Sequence, residues 1–533
     1  MAGAGLAAAG DVTARGRTLA RAAFALALLL GVAPLYCARQ LPMVDLPQHL
    51  HLISALHRLD DPTTLYPRVF ATRGELTPYL GYYVLVDLLS WLVPLELANR
   101  LFLTAMVLGL PLAVAFLLRS AGRPRWPAIL AVPLAYGDSF GWGFVNSSAS
   151  FVLALLAAGV FLRALADAPR RRQWAAGYGL LLVAVLLMHV QGFLFLAVAL
   201  PFLLLTTRAP EDGARPQLRP RLPAVIATVP AVLLFAVWGA GRLLAPAEVE
   251  EGAPWKAWGP LLSARNLSFK PPRQNLEEFY QVLANLLRDG SDRWALHGAV
   301  ALAVVALGLW VSGLRSDSRE GRVERWRIPG LALLAGLLFL LLPFDVRGAV
   351  YYLNTRYAHL AAPLMLAALP PLAARARPAL LALGAVVAVS LAVPLGSAFH
   401  AFDREAAPLL RFADETPPGP EIMGLVFDPG SRVVRHPVFL HAAAVPARLR
   451  GGITNFSFAR TPHSPLRYRG APPPTFPSEW HPEGFRWETM GPAYTHFLVR
   501  GADPRAIFGA RLGSDLTLVD AAGGMAWLEA QRR

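Results

Sequence analysis

The sequence predicts a polytopic α-helical membrane protein with a C-terminal α+β or mostly β domain outside the membrane, and three observations support this fold class. Hydrophobic residues make up 55% of the 533 residues and charged residues only 16%, whereas soluble proteins carry about 25% charged residues. Several apolar runs reach the roughly 20 residues that a helix needs to cross a bilayer. The net charge is +15, but arginines gather in short segments between the runs, which is typical of cytoplasmic loops rather than of nucleic-acid binding.

Eleven spans account for the hydrophobic pattern of the first 400 residues. If the N-terminus is cytoplasmic, the alternation of spans places all the arginine-rich loops on the cytoplasmic side, whereas the outer loop 138–147 carries no lysine or arginine. This agreement with the positive-inside rule predicts a multi-pass protein of a bacterial inner membrane. The basic loops are 119–125, 169–173, 208–221, 315–327 and 375–377. The spans lie near 19–37, 99–118, 127–140, 149–166, 175–189, 191–207, 222–244, 294–313, 328–343, 357–373 and 379–396.

One large outer loop is predicted between the first two spans, at 38–98. The apolar stretch 79–92 contains Asp87 and is shorter than the roughly 20 residues of a span, so we interpret it as interfacial. The stretch 46–59 carries leucine and isoleucine at helical spacing. The loop is therefore predicted to hold two surface-lying helices, 46–59 and 79–92, within a transmembrane domain 1–399.

The last part of the chain, residues 400–533, has a different character. It is rich in proline, glycine, aromatic and charged residues, and it has no run long enough to span a bilayer. Short β-branched and aromatic stretches at 422–427, 497–500 and 516–519 predict strands. We expect a soluble periplasmic domain.

Asp45 and His49 are the first candidate catalytic residues, because they lie four apart on the predicted helix at the bilayer edge and therefore share a face. A carboxylate there can act as a general base or as a metal ligand. The alternative for Asp45 is a helix N-cap, since Pro47 and Gln48 follow it. The alternative for His49 is a polar-face residue without chemistry.

Four further residues fall on the same side of the membrane under this topology. Asp138 follows an apolar span, and His189 lies between two long apolar runs, where an ionisable group is a candidate for function. Arg356 and Tyr357 open a late span, and an arginine fork matches phosphate oxygens. The alternatives are a solvated carboxylate, a turn histidine, and an interfacial anchor for the Arg-Tyr pair.

Zinc and disulfide chemistry are not supported. The chain has a single cysteine, Cys37, which excludes an intrachain disulfide and a cysteine metal cluster. A zinc site needs three or four convergent ligands, and the spacing of the histidines supplies none.

The pattern resembles the GT-C superfamily of membrane glycosyltransferases, in particular the lipid A aminoarabinose transferase and protein O-mannosyltransferase type. Four short stretches carry the resemblance. They are Val44–His49 (VDLPQH), Pro78–Leu80 (PYL), Glu96–Leu101 (ELANRL) and Arg356–Pro363 (RYAHLAAP). The order and topology of residues 20–400 are similar to those of the family, but a second acidic residue beside Asp45 is missing, because its neighbours are Val44 and Leu46.

This resemblance implies an inverting transfer of a sugar from a polyprenyl-phosphate donor to a lipid, glycan or protein acceptor of the envelope. Asp45 would take the acceptor proton or hold a divalent cation, Mg²⁺ or Mn²⁺. Arg356 would bind the departing phosphate, and His49 and His189 would shape the pocket. Asp138 and Tyr357 are further substrate-binding candidates. Membrane lipids are the remaining expected partner, and no nucleic acid is expected.

Two other function classes stay open at this point. A non-catalytic envelope protein would use the outer domain to bind a partner or a glycan, and Trp480, Trp487 and Tyr494 could then stack on sugar rings. A lipid or sugar transporter would need ionisable groups along a path through the membrane. The spans carry their charges mostly at the ends, which favours the enzyme.

Overall fold

The computed structural model describes residues 18–19, 21–212, 217–244, 264–315, 321, 323–346 and 350–531. Residues 1–17, which the topology prediction places in the cytoplasm, lie outside this part. The described chain is predominantly helical. Its helices are α1 Arg21–Tyr36, α2 Leu46–His57, α3 Tyr66–Val69, α4 Leu80–Ser90, α5 Leu95–Ser120, α6 Asp138–Trp142, α7 Val145–Ala166, α8 Arg171–Met188, α9 Val190–Thr206, α10 Leu222–Leu244, α11 Pro272–Leu283, α12 Asp292–Val311, α13 Arg327–Leu341, α14 Ala358–Ala367, α15 Arg377–Ser390, α16 Ala392–Asp414, α17 Ala444–Arg450, α18 Trp487–Met490 and α19 Pro504–Phe508.

Five helical stretches in the described residues are long and apolar enough to cross a membrane. They are Leu95–Ser120, Val145–Ala166, Arg219–Gly241, Asp292–Val311 and Ala374–Asp414. Shorter apolar helices are Arg21–Tyr36, Leu80–Ser90 and Val190–Thr206. The protein thus has several helices of membrane-spanning character, and the count of eleven spans stays a prediction.

The predicted span 127–140 differs from the structure. Two short 3₁₀ helices, Trp126–Ala131 and Pro133–Ala135, take its place and are followed by α6. Pro133 has no backbone N–H to donate, so a continuous α-helix cannot run through it without losing a hydrogen bond. The 3₁₀ segment is enclosed by neighbouring helices, since all six residues of Trp126–Ala131 are buried.

The loops predicted to be cytoplasmic meet at one end of the helices. Arg327 donates a hydrogen bond from Nη2 to the carbonyl oxygen of Ala121 at 3.1 Å. Arg123 donates from Nη1 to the carbonyl oxygen of Ala367 at 3.3 Å. Two basic segments that are far apart in the sequence, 119–125 and 315–327, therefore contact each other, and the end of α14 contacts the first of them.

Helix α2 is enclosed instead of lying open on a surface as predicted for 46–59. Nine of its twelve residues are buried. Gln48 donates from Nε2 to the carbonyl oxygen of Phe456 at 2.8 Å, and His51 Nε2 lies 2.9 Å from the carbonyl oxygen of Gly452. Gln48 and His51 thus contact the C-terminal part of the chain. That part covers the face of α2 that was expected to meet water.

Helix α4 keeps an exposed apolar face, as the interfacial prediction for 79–92 requires. Val84, Leu85 and Leu88 are exposed on it. Asp87 is the acidic residue in this apolar stretch, and its Oδ1 lies 2.9 Å from Nδ1 of His57. The carboxylate is therefore paired at the rim of the helix.

The C-terminal part is an α+β unit built on a mixed five-stranded sheet. Its order is β5-β4-β7-β9-β8, with β4 Glu421–Val426, β5 Ile453–Thr454, β7 His496–Arg500, β8 Leu516–Ala522 and β9 Met525–Ala530. β4 runs parallel to β5 and β7, whereas β9 runs antiparallel to β7 and β8. Two glycines with positive φ, Gly523 and Gly524, form the tight β8–β9 turn. The three strands predicted from the sequence correspond to β4, β7 and β8.

This unit packs directly on the outer loop. β1 Phe70–Thr72 pairs antiparallel with β6 Leu466–Tyr468. One hydrophobic core contains Tyr66 from the loop together with Phe439 and Trp527. Helix α16 runs without a break through the predicted domain boundary between residues 399 and 400. The remaining pair of short strands, β2 Leu267–Ser268 and β3 Asp345–Val346, joins two other outer segments.

Candidate active site

Asp45 lies where the first outer loop meets the turn before α7. The backbone N–H of Asp45 donates to the carbonyl oxygen of Trp142 at 3.0 Å, and that of Val44 to Gly141 at 2.9 Å. Gly143 has φ +84°, and a side chain there would press on the Asp45 backbone at 3.0 Å. The Asp45 carboxylate makes no capping hydrogen bond to α2. It is therefore free for other contacts, and the N-cap alternative does not explain it.

A histidine and a glutamate from the C-terminal part surround this carboxylate. His441 Nε2 lies 3.5 Å from Asp45 Oδ1, and His441 Nδ1 lies 3.7 Å from Glu479 Oε2. Burial lowers the pKa of His441, but the two carboxylates outweigh it, so the pKa lies above the ordinary value. Burial also raises the pKa of Glu479, against the effect of His441. The histidine thus bridges two acidic side chains.

His49 lies beside Asp45 but is enclosed by aromatic rings. Its Nδ1 is 2.8 Å from the hydroxyl of Tyr83, and its ring packs edge-on against Tyr82 and Phe458. Burial lowers the pKa of His49 to about 4, although Asp45 acts in the opposite direction. His49 is therefore neutral at pH 7 and supports the wall next to Asp45.

Arg356 and His189 form the second half of the site. Arg356 Nη1 lies 3.5 Å from His189 Nε2, and Nη2 donates to the carbonyl oxygen of Tyr351 at 3.1 Å. The guanidinium stacks 3.8 Å from the ring centroid of Phe144. No carboxylate among the described residues lies within ion-pair distance of Arg356, and its buried Nε has no hydrogen-bond partner there.

Asp45 and Arg356 share one environment. The turn Trp142–Phe144 joins them, because the Trp142 carbonyl oxygen accepts from the Asp45 backbone N–H and the Phe144 ring contacts the Arg356 guanidinium. The Tyr79 ring lies 4.5 Å from that of His189 and stacks at 4.2 Å on His463. Arg356, which has no ion-pair partner among the described residues, and the uncapped Asp45 thus contact the same turn, although they are far apart in the sequence.

Asp138 lies in a neighbouring polar cluster. Its Oδ1 is 2.9 Å from His436 Nε2 and accepts a hydrogen bond from Asn285 at 3.3 Å. The ring of Trp142 separates this cluster from Asp45 and contacts His436 edge-on at 5.6 Å. Asp138 is therefore already paired by protein groups.

Tyr357 packs beside Arg356. It is 1% exposed, its hydroxyl donates to the carbonyl oxygen of Gln191 at 3.1 Å, and its ring packs against Phe151. These contacts hold α14 against α7 and α9. The ring and the hydroxyl are both used in packing, and the predicted substrate contact of Tyr357 stays a prediction.

Sequence reasoning missed His441 and Glu479, because both belong to residues 400–533, which were predicted as a separate domain. Each lies in a proline- and aromatic-rich segment without periodicity. Only the fold brings them to Asp45, which no local pattern could have indicated.

The side chains around Asp45 do not fit the expected divalent cation. Mg²⁺ and Mn²⁺ prefer several oxygen ligands, whereas Asp45 faces a histidine that two carboxylates favour in its protonated form. Among the described residues, no three His, Cys, Asp or Glu side chains are grouped to hold a metal ion.

Comparisons with known proteins place the fold. No family model and no curated protein matches the chain. The structure is similar to that of ArnT from Cupriavidus metallidurans bound to undecaprenyl phosphate, with a TM-score of 0.56, 11% sequence identity, and coverage of 95% of this chain and 96% of ArnT. A mutant form of the arabinofuranosyltransferase AftD from Mycobacteria matches with a TM-score of 0.51 and 15% identity, over 97% of this chain and 42% of AftD. The chain therefore has the fold of the GT-C membrane glycosyltransferases.

Proposed function

We propose that this chain is a membrane glycosyltransferase that moves a sugar from a polyprenyl-phosphate donor to an acceptor of the cell envelope. The observation that carries the proposal is that one turn, Trp142–Phe144, contacts both the backbone of the uncapped Asp45 and the Arg356 guanidinium. This site is at the opposite end of the helices from the basic loops. We place it at the periplasmic face of a bacterial inner membrane, with the N-terminus in the cytoplasm.

Arg356 is the proposed phosphate ligand. Arg356 is half-buried and has no ion-pair partner among the described residues, which favours a bound anion, because its charge is otherwise uncompensated. Its fork presents paired N–H groups that match phosphate oxygens. ArnT of similar fold was solved with undecaprenyl phosphate bound, which supports a lipid phosphate as the anion.

Asp45 is the proposed general base. A hydroxyl oxygen of the acceptor attacks the anomeric carbon of the donor sugar, and the bond from that carbon to the phosphate oxygen breaks. The phosphate leaves with the electron pair and is stabilised by Arg356, while Asp45 takes the proton of the hydroxyl. A single displacement of this kind inverts the anomeric configuration. None of these steps requires a metal ion. Whether transfer depends on a divalent cation is tested by measuring the rate after addition of EDTA.

The aromatic surroundings of Asp45 favour an acceptor that is itself a carbohydrate. Trp480 is 47% exposed and lies 6.4 Å from the ring of Trp142, whose backbone bonds to Asp45. Such rings stack on the apolar faces of sugars. Trp487 and Tyr494, the other two candidates from the sequence, belong to the core under the sheet.

The test is sugar transfer by the purified chain in nanodiscs, from a panel of undecaprenyl-phosphate-linked, radiolabelled pentoses and hexoses to envelope glycan fractions. The unaltered chain should transfer at least one sugar, and Asp45→Asn should reduce the rate by a factor of about 100 or more. Asp60→Asn is the matched control, because Asp60 is an exposed carboxylate just after the same helix. Absence of transfer from every donor, or full activity of Asp45→Asn, would contradict the proposal.

A further inference from the structure

The contacts of Asp45 come from two distant parts of the chain. Its backbone is fixed by the turn before α7, as described above, whereas the ion-pair partner of its carboxylate, His441, comes from the C-terminal unit. Oδ1 faces His441 at 3.5 Å. This contact engages one oxygen of the carboxylate, Oδ1.

His441 is itself fixed at both ring nitrogens. One nitrogen faces Asp45 and the other faces Glu479 at 3.7 Å. The His441 side chain is only 3% exposed, and Phe458 packs edge-on against its ring at 5.5 Å. The imidazole thus lies between two carboxylates, and turning it would lengthen the contacts on both sides.

Packing alone does not explain this arrangement. Burying an ionisable ring between two carboxylates costs desolvation energy that an apolar residue would avoid. His51, a buried residue of α2, faces a backbone carbonyl oxygen instead. His441 thus differs from His51 in facing two carboxylates.

We propose that His441 and Glu479 are positioning residues that hold Oδ1 of Asp45 so that Oδ2 faces the acceptor hydroxyl. The inference rests on the proposed function, because it gives these residues a role in the same transfer. It makes the C-terminal unit a part of the active site. A small displacement of a catalytic group costs up to about a hundredfold in rate.

The experiment measures kcat and the donor KM in the same nanodisc assay for His441→Ala, His441→Gln and Glu479→Gln. We expect kcat to fall about tenfold to a hundredfold in His441→Ala, with the donor KM unchanged, because the donor phosphate contacts Arg356 and not His441. His441→Gln keeps an N–H donor toward Asp45 and should recover part of the loss. His481→Gln is the matched control, since His481 is exposed and lies in the same segment as Glu479.

A double-mutant cycle separates positioning from a structural effect. If His441 acts through Asp45, His441→Ala adds little to the residual rate of Asp45→Asn, because the residue that it orients is already disabled. Two outcomes would overturn this inference and leave the proposed function standing. One is a double variant whose loss of kcat is the product of the two single losses, and the other is wild-type kcat in both His441→Ala and Glu479→Gln. If His441→Ala fails to fold, the cycle is measured with Glu479→Gln and Asp45→Asn instead, because the Glu479 side chain is only partly buried. Absence of transfer by the unaltered chain would overturn the proposed function and this inference with it.

Discussion

Replacement of Arg356 by alanine tests the donor half of the site without any knowledge of the sugar. The guanidinium contacts the carbonyl oxygen of Tyr351, the ring of Phe144 and His189, and none of these groups neutralises its charge. Removal of the side chain should therefore leave the helices in place while it removes the cation that faces the donor phosphate.

The expected magnitude follows from the strength of charge-assisted hydrogen bonds. A hydrogen bond to a charged group contributes about 1.5–3 kcal/mol, and 1.4 kcal/mol corresponds to a factor of ten in affinity. Arg356→Ala should therefore raise the Kd for undecaprenyl phosphate about 10- to 150-fold. Arg356→Lys keeps the charge but loses the fork and the stacking on Phe144, so we expect a smaller increase.

The assay is titration of the detergent-solubilised chain with undecaprenyl phosphate, followed by native mass spectrometry, with thermal unfolding to verify that each variant folds. Arg273→Ala is the control, because that arginine is 91% exposed and paired with Glu277. A Kd of Arg356→Ala within about twofold of the unaltered value would refute the reasoning. An equal loss in Arg273→Ala would mean that general charge, and not the site, binds the lipid.

Three further predictions concern the transfer kinetics of an Arg356 and a Trp480 variant and the pH dependence of a His51 variant. Arg356→Ala should raise the donor KM more than the acceptor KM in the transfer assay, and an equal rise in both would contradict the phosphate role. Trp480→Ala should raise the KM of a glycan acceptor several-fold with the donor KM unchanged, which initial-rate kinetics can check; an unchanged acceptor KM would remove the stacking surface. Burial lowers the pKa of His51 to about 4 from 6.5, so its neutral form stabilises the fold above pH 6.5, and up to about 3 kcal/mol is lost as the pH falls from 6.5 to 4. Thermal unfolding of His51→Gln should depend less on pH over this range than that of the unaltered chain, and an unchanged dependence would be the contrary result.

The helical part was largely predictable, because hydrophobic length is a local property of the sequence. The predicted segments at 99–118, 149–166 and 222–244 correspond to α5, α7 and α10. The segment 127–140 was mistaken for a span because its composition is apolar. The structure has two short 3₁₀ helices there instead of one continuous helix, and hydropathy does not distinguish the two.

The site was predictable only in part. Asp45, His49, His189 and Arg356 were selected because ionisable groups at membrane boundaries are costly. In the structure Arg356 contacts His189, and the turn Trp142–Phe144 lies between Arg356 and Asp45, while the roles of these residues stay predictions. The sequence also allowed the Asp45 carboxylate to be the N-cap of α2. In the structure this carboxylate makes no capping hydrogen bond, and the chain entering α2 is held by backbone hydrogen bonds to the end of α6.

The residues that complete the site could not be found this way. His441 and Glu479 reach Asp45 through β4, α17 and the packing of the C-terminal unit on α2, which are contacts between the two ends of the chain. Such contacts depend on tertiary packing and not on local periodicity. The same reason explains why 46–59 was expected at an open surface, since the segment that covers it lies about 400 residues later.

The most direct measurement is a cryo-EM structure of the chain with undecaprenyl phosphate bound. The account predicts the phosphate within about 4 Å of the Arg356 guanidinium, which is ion-pair distance, on the side that Asp45 also faces. A phosphate bound at the opposite end, among the arginines of the basic loops, with nothing at Arg356, would contradict it.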